Sequence, residues 1–164
     1  EALGRPPSLE DVRDTVLSLR RAKGMVSDAN DADSRSAGSF FVNPTLNLFA
    51  LEVLRCRARE RGLLGDGRDL PHFDAGHPDE RKVAAAWLIE GAGFARGHRH
   101  GAGRVGLSSR HALAIVNRGG GTAEEVHALA SEIQREVWRV FGVALRPEPV
   151  FLGLAPPSLD EDRS

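Results

Sequence analysis

A serine and a glutamate stand in segments suited to presenting a reactive side chain. In residues 36–44 (SAGSFFVNP), two small residues precede Ser39 and two phenylalanines follow it, so a ligand could approach the backbone while the aromatic rings anchor the strand. Glu148 lies between Pro147 and Pro149, which fix the backbone on both sides of its carboxylate. Each residue also has a plainer interpretation: a serine that satisfies a local amide, and a solvated glutamate on an edge strand.

A basic, glycine-rich segment over residues 91–106 is the second place where the residue types indicate a ligand. His98 and His100 alternate like two metal ligands on a strand, but no carboxylate or thiolate at ligand spacing completes the shell, and the neighbouring arginines would repel a cation. Arginine suits an anion such as a diphosphate, because its guanidinium is a forked and permanently charged donor. Residues 117–122 (NRGGGT) lack the spacing of a phosphate-binding loop, which favours a tight connection. We assign no catalytic role to His111.

Short elements separated by many glycines and prolines must position these residues. Apolar spacing and capping residues predict helices over residues 9–22, 46–61 and 81–91, and a longer helix between Thr122 and Gly142. Residues 111–117 predict a buried strand, and residues 143–153 predict an edge strand interrupted by prolines. Residues 65–77 show no periodicity. Ser8 with Asp11, and Thr122 with Glu125, have the spacing of capping boxes.

The composition of the chain argues against several classes of function. The chain has 164 residues, about the size of one domain. Its 22 Lys and Arg residues are balanced by 23 Asp and Glu residues, so no basic field favours binding along a nucleic-acid backbone. Cys56 is the only cysteine, which excludes an intrachain disulfide and fits a reducing compartment. The apolar stretches are too short to cross a bilayer. We therefore expect a cytoplasmic protein that binds neither nucleic acid nor membrane.

Five segments, taken in order, resemble the C-terminal part of UDP-N-acetylenolpyruvoylglucosamine reductases, the flavoenzymes of peptidoglycan precursor synthesis. They are DVR through RRAK (11–23), SAGSFF with NP (36–44), AAWLIE with GF (85–94), HAL through Asn117, and FGV through PE (141–148). The resemblance extends over nearly all of residues 9–153. It implies an α+β fold, in which a small mixed sheet and packed helices form the substrate-binding domain of a multi-domain flavoenzyme.

The resemblance also implies roles for particular residues. In that family, FAD reduced by NADPH delivers hydride to C3 of the enolpyruvyl group, and C2 must then be protonated. Ser39 matches the general acid that protonates C2, and Glu148 matches the residue that supports the developing enolate. Because an ionised carboxylate would repel an enolate, we expect Glu148 to act in its protonated form. The positions that hold the UDP diphosphate and sugar are matched by Lys23, Asn43, Lys82 and Arg96. No metal is expected.

Two features depart from the family pattern. Val42 stands where a lysine is common, and the chain has no tyrosine, so it cannot form the tyrosine loop that clamps the substrate in some members. Arg96 stands where lysine is frequent, which keeps the charge. The flavin-binding region, with a catalytic arginine, would precede Glu1, so we expect this chain alone to bind little FAD and to be inactive.

We divide the chain into three parts. Residues 1–35 are expected to be the end of the flavin-domain region and a connecting loop, residues 36–153 the C-terminal substrate-binding domain with its return strand, and residues 154–164 a flexible acidic tail. Two alternatives stay open at this point. One is a non-catalytic UDP-sugar-binding or regulatory module that lacks a flavin domain, and the other is a structural or protein-binding domain.

Overall fold

The fold consists of four α-helices and nine short strands in the described part of the chain. A computed structural model describes residues 6–65, 67–157 and 159. The helices are α1 (Leu9–Ala22), α2 (Leu48–Glu60), α3 (Ala85–Gly91) and α4 (Ala123–Phe141), and a 3-10 turn spans Ala32–Ser34. The strands are β1 (Ser36–Ser39), β2 (Phe41–Val42), β3 (Thr45–Asn47), β4 (His72–Asp74), β5 (Glu80–Val83), β6 (Arg99–His100), β7 (Val105–Leu107), β8 (Ala114–Asn117) and β9 (Arg146–Pro147).

The strands form three separate sheets. The first has the order β1, β8, β7, β6; the second pairs β2 with β9; and the third places β5 between β3 and β4. The α+β class is thus confirmed, but the expected single mixed sheet is wrong, because every pairing is antiparallel. Hairpins and long returns connect the paired strands, and neither kind of connection requires the parallel crossover that a mixed sheet contains.

The hydrophobic core lies between α4 and strands β7 and β8. Leu129, Ile133 and Val137 of α4 are all 0% exposed, and their spacing of four residues puts them on one helix face. Helices α2 and α3 also pack against α4, and they bury Leu54 and Leu88. Complete burial of such a side chain contributes about 1.5–3 kcal/mol. This interface therefore provides the rigid platform on which the short strands lie.

Helices α1 and α4 have the predicted bounds and the predicted caps. The Ser8 hydroxyl accepts from the Asp11 amide, and the Asp11 carboxylate accepts from the Ser8 amide. Thr122 and Glu125 make the same reciprocal pair at the start of α4. Gly142 ends α4 with φ of 68°, a left-handed conformation that glycine adopts without strain.

The other predicted elements begin later or are shorter than expected. Residues 45–47 pair as β3 and residues 80–83 as β5, so α2 begins at Leu48 and α3 at Ala85. Residues 65–77 contain β4, residues 111–113 form a turn before β8, and the return strand is reduced to Arg146–Pro147. These errors share one cause, because strand partners far away in the sequence determine the ends and local spacing does not report them.

Helix α1 lies outside the core. None of its residues is buried, and its apolar side chains Leu9, Val12, Val16 and Leu19 remain exposed. Among the described residues, no helix is both long and apolar enough to cross a membrane. Most of the predicted acidic tail, residues 158 and 160–164, lies outside the described residues.

Candidate active site

Ser39 and Glu148 are joined through a single residue, Phe40. Ser39 ends β1 opposite Ala114 of β8, and it is half-buried. The Phe40 amide donates to the Leu113 carbonyl at 2.8 Å, and the Phe40 carbonyl accepts from the Glu148 amide at 2.9 Å. Glu148 itself is exposed, directly after β9. The backbone thus brings the two predicted catalytic residues into neighbouring positions, although 108 residues lie between them in the sequence.

Local sequence features explain why the chain bends at Phe40. Gly38 has φ of 83°, and the pairing of β1 with β8 is irregular between Ser36 and Ser39. Phe40 and Phe41 are 5% and 2% exposed, with ring centroids 5.2 Å apart. The two rings therefore anchor the segment on the core while the backbone passes from the first sheet to the second. This is the anchoring role that the sequence predicted for them.

Asn43 and Lys82 lie at the next corner of the same segment. The Asn43 side-chain oxygen accepts from the Ala85 amide at 2.9 Å, which supplies the start of α3 with an acceptor that its own N-cap, Ala84, lacks. The amide nitrogen of Asn43 makes none of the described hydrogen bonds and is open to a ligand. Lys82 is exposed on β5, and the amide of its neighbour Val83 donates to the Pro44 carbonyl at 2.9 Å.

Lys23 and Arg96 both lie close enough to His111 to affect its titration. Burial lowers the pKa of His111, the charge of Lys23 lowers this pKa further, Glu90 opposes the effect, and Arg96 again lowers it. Lys23 is exposed at the end of α1, and Arg96 Nε lies 2.8 Å from Glu90 Oε1. His111 occupies the turn before β8 whose Leu113 carbonyl holds Phe40. We call Lys23, Arg96 and His111 the basic cluster.

His111 is a candidate site residue that sequence reasoning did not single out. Its position in an apolar segment, HALAIVN, indicated only a strand. The signal that could have found it is the change from the polar string SSR to that apolar segment, which is typical of a turn at the end of a strand. The structure thus brings Ser39, Glu148 and the basic cluster to one region, and the backbone leads from there along residues 41–43 to Asn43 and Lys82.

Five surface clefts of the described residues are lined by neither Ser39 nor Glu148. One of about 540 Å³ lies beside β1 and contains Ser36 and Phe40, and one of about 670 Å³ lies beside β9 and contains Pro147 and Pro149. The chain neighbours of the two candidate catalytic residues, Phe40 on one side and Pro147 and Pro149 on the other, thus line these two clefts.

The other sequence motifs have structural roles. Asn117 Oδ1 accepts from the amides of Gly119 and Gly121 at 3.0 and 3.1 Å, so these amides are not free to bind a phosphate and the segment is the tight connection that we predicted. The His98 ring packs edge-on against Phe94, and His100 Nδ1 lies 3.1 Å from Glu132 Oε2. In the part of the chain that the structure describes, no group of three or more His, Cys, Asp or Glu residues could hold a metal ion.

Taken together, the fold and these residues define a small α+β domain whose backbone connects the segments that carry Ser39, Glu148 and the basic cluster. A family model described as "UDP-N-acetylenolpyruvoylglucosamine reductase, C-terminal domain" matches residues 30–152. The chain belongs to this family, which confirms the resemblance seen in the sequence.

Similar proteins agree with this assignment. The chain is 52% identical over 147 residues to the UDP-N-acetylenolpyruvoylglucosamine reductase of Thermobifida fusca, covering 89% of this chain and 40% of that protein. It is 48% identical over 143 residues to the reductase of Mycobacterium tuberculosis, covering 87% of this chain and 37% of that protein. A reductase from Corynebacterium glutamicum is 45% identical over 144 residues. The chain spans about two-fifths of the length of the curated relatives it matches.

Proposed function

We propose that this chain is the substrate-binding and proton-donating part of an oxidoreductase that converts UDP-N-acetylenolpyruvoylglucosamine to UDP-N-acetylmuramate in peptidoglycan precursor synthesis. The names of the relatives supply the substrate. The observation that carries the proposal is the hydrogen bond from the Glu148 amide to the Phe40 carbonyl, which brings the backbone of Glu148 beside the residue that follows Ser39. A hydroxyl and a carboxyl group on such neighbouring backbone positions suit the protonation of an enolate.

Ser39 and Glu148 would act on the substrate in different ways. Addition of hydride to C3 of the enolpyruvyl group leaves negative charge on C2 and on the adjoining carboxylate. The Ser39 hydroxyl would give its proton to C2, and a protonated Glu148 would donate a hydrogen bond to the charge that develops on the carboxylate. Glu148 must be protonated for this task, because an ionised carboxylate next to an enolate would repel it.

The glycine run over residues 119–121 bears on where FAD would be held. The only glycine run of the chain uses two of its amides on Asn117, and this leaves no phosphate-binding loop for a dinucleotide in that segment. We propose that FAD, which supplies the hydride after reduction by NADPH, is held mainly by another region of the enzyme. The proton-donating and substrate-binding steps would then belong to this chain.

The anionic part of the substrate would lie on the basic cluster. Arg96 offers the forked donor set that suits a diphosphate, and Lys23 adds a second positive charge near the same histidine. A neutral His111 can still donate one N–H bond to a phosphate oxygen. Asn43 would add the free amide nitrogen of its side chain, and Lys82, at the same corner, a third cation.

We keep the proposed division of the chain at residues 1–35, 36–153 and 154–164. The exposed apolar face of α1 supports it, because Leu9, Val12, Val16 and Leu19 have no covering partner among the described residues. A flavin-binding domain packed on that face would bury these side chains. Since NADPH and UDP-sugars are cytoplasmic metabolites, we also propose that the protein acts in the cytoplasm.

Replacement of Ser39 tests the proposed function in the full gene product. Ser39→Ala should leave reduction of the flavin by NADPH unchanged and slow reoxidation of the flavin by the enolpyruvyl substrate about 10²–10⁴-fold, the usual contribution of a general acid. Stopped-flow absorbance of the flavin measures both steps. The matched control is Ser36→Ala, which removes a hydroxyl from the same strand and should leave both rates unchanged.

Two results would contradict the proposal. Equal slowing of both steps by Ser39→Ala would show that Ser39 is not the proton donor. A wild-type gene product that binds UDP-sugars but neither binds flavin nor turns over would instead establish the non-catalytic alternative.

A further inference from the structure

A buried carboxylate lies at the centre of the residues that carry the candidate site. Asp33, in the 3-10 turn before β1, is 6% exposed. Its Oδ2 atom accepts from the Ser108 hydroxyl at 2.9 Å, from the Ser109 amide at 2.7 Å and from the Ser109 hydroxyl at 2.7 Å. Its Oδ1 atom lies 3.4 Å from Arg118 Nη2. All these donors come from a segment at least 75 residues away in the sequence.

The turn that Asp33 holds is connected to three of the site residues. The Ser108 carbonyl accepts from the amide of Gly97, which directly follows Arg96. The Ser108 amide donates to the Ala114 carbonyl, and Ala114 lies opposite Ser39. His111 lies inside the loop that this hydrogen bond closes. The segment over residues 108–114 therefore connects Arg96, His111 and Ser39 through the backbone.

Lys23 is connected to Asp33 from the other side. Gly24, its neighbour, is buried with φ of 68°, and a Cβ atom added there would lie 3.2 Å from Asp33 Cβ. The close packing of Gly24 on Asp33 fixes the end of α1, from which Lys23 extends. Arg110 adds to this contact, because its Nη1 donates to the Arg21 carbonyl at 3.0 Å.

We infer that Asp33 is a positioning residue of the candidate site, which sets the spacing of Lys23, Arg96, His111 and Ser39 without touching the substrate. The Asp33 carboxylate is connected to Lys23 through Gly24, which packs against Asp33. It is connected to the other three residues through the hydrogen bonds of the 108–114 turn. This inference rests on the proposed function for its substrate. Asp33 lies outside the sequence motifs, so the sequence alone did not suggest this role.

The experiment compares Asp33→Asn and Ser109→Ala with a matched control, Ser34→Ala, in the full gene product. Asparagine keeps the shape of Asp33 but removes the charge and places an amide donor near Arg118. Ser109→Ala removes one of the three hydrogen bonds to Oδ2 and keeps the other two. It is the milder variant, to be used if Asp33→Asn does not fold. Ser34 bonds within its own loop, to Asp28, and should have no effect on the site.

We expect weaker binding and slower proton delivery without loss of the cofactor step. Asp33→Asn should weaken UDP binding, measured by calorimetry, and slow reoxidation of the flavin by the substrate, each about 10–100-fold, as for small displacements of a site. Ser109→Ala should have a smaller effect in the same direction. Reduction of the flavin by NADPH should not change. Hydrogen exchange should show faster exchange at the Phe40 and Gly97 amides, whose acceptors lie in the 108–114 turn.

The outcomes separate the two proposals. Folded Asp33→Asn or Ser109→Ala protein with wild-type UDP affinity, wild-type turnover and unchanged exchange would overturn the positioning role, even if its melting temperature had fallen. A wild-type gene product that neither binds UDP nor reduces the substrate would contradict the proposed function, and the exchange of Phe40 and Gly97 would still decide whether Asp33 holds the turn.

Discussion

The pKa of His111 depends on the charged groups that surround it. Burial and the nearby Lys23 and Arg96 lower its pKa, so the ring is neutral at neutral pH. A diphosphate bound between these cations would reverse part of the effect, because an anion favours the charged imidazolium. The protonation of one side chain therefore reports whether the basic cluster binds an anion.

We expect the addition of UDP to raise the pKa of His111. The measurement is an NMR titration of the imidazole carbons with and without saturating UDP. His77, exposed in the loop between β4 and β5, serves as the internal control and should not respond. An unchanged His111 titration in the presence of bound UDP would place the diphosphate elsewhere on the surface.

Asn43 has two functions that two substitutions can separate. Asn43→Ala removes the acceptor that caps α3 and should lower the free energy of unfolding by about 1 kcal/mol. Asn43→Asp keeps an acceptor at the helix start but loses the amide donor and adds negative charge near the diphosphate. It should retain wild-type stability and bind UDP more weakly. Chemical unfolding and calorimetry provide the two measurements, and equal UDP affinity of Asn43→Asp and wild type would remove Asn43 from the substrate contacts.

Single residues could be predicted from the sequence only where a motif carried them. Ser39 and Glu148 stand in unusual strings, and a hydrogen bond from the Glu148 amide to the Phe40 carbonyl joins the two strings. Asp33 and His111 have no such signal, because their partners lie in segments far along the chain. Their roles depend on tertiary contacts that local spacing does not encode.

Helices α1 and α4 both begin with a capping box, but only α4 is part of the core. Helix α4 buries one face in the core, whereas α1 buries none of its residues. Both carry the same kind of capping box. Their sequence signals were equally clear, since a capping box depends on residues three apart. Strands β4 and β5 gave no comparable signal, because both contain charged residues and depend on each other for their pairing.

The loss of each cap should therefore have different effects. Thr122→Ala should lower the free energy of global unfolding by about 1 kcal/mol, because unfolding the start of α4 disturbs the core. Ser8→Ala should fray α1 without changing global stability. Urea unfolding measures the first effect, and amide exchange in residues 9–13 measures the second. A global loss of similar size for Ser8→Ala would show that α1 is coupled to the core.

The exposed face of α1 allows a test of the proposed domain division. The double variant Val12→Lys and Val16→Lys should change the stability of residues 1–164 by no more than about 0.5 kcal/mol, as is usual for surface positions. Leu129→Ala, in the core, should cost about 2–5 kcal/mol. In the full gene product, the lysine variant should be destabilising if a flavin domain covers this face. Equal tolerance in both proteins would contradict the assignment of residues 1–35.

At the scale of the whole molecule, acid should unfold this protein partly through Asp33. Burial acts to raise the pKa of Asp33, but the hydrogen bonds from Ser109 and Ser108 and the charge of Arg118 lower it overall. A carboxyl group with a lower pKa in the folded state contributes stability above its unfolded pKa, about 3.9, and loses this contribution as pH falls through the folded value.

We therefore expect the free energy of unfolding of the wild type to fall steeply below about pH 4. Asp33→Asn should be less stable at neutral pH and should show a shallower fall over the same range, because it has no carboxyl group to protonate at this position. Urea unfolding at several pH values measures both slopes. Parallel slopes for the two proteins would show that Asp33 does not contribute to acid unfolding.

Ser39 is the covalent neighbour of Phe40, and Glu148 is hydrogen-bonded to the Phe40 carbonyl, which also restricts how an enzyme built on this chain can regulate its reaction. Because the backbones of both residues are held at Phe40, the opening or closing of the protein around its ligand should move them together. Such a movement alters only their distance from the source of hydride. Timing of the reaction would then be controlled by the approach of another region to a preassembled acid pair, and relaxation-dispersion NMR should find slow exchange at the boundary of this domain and not at Phe40 itself.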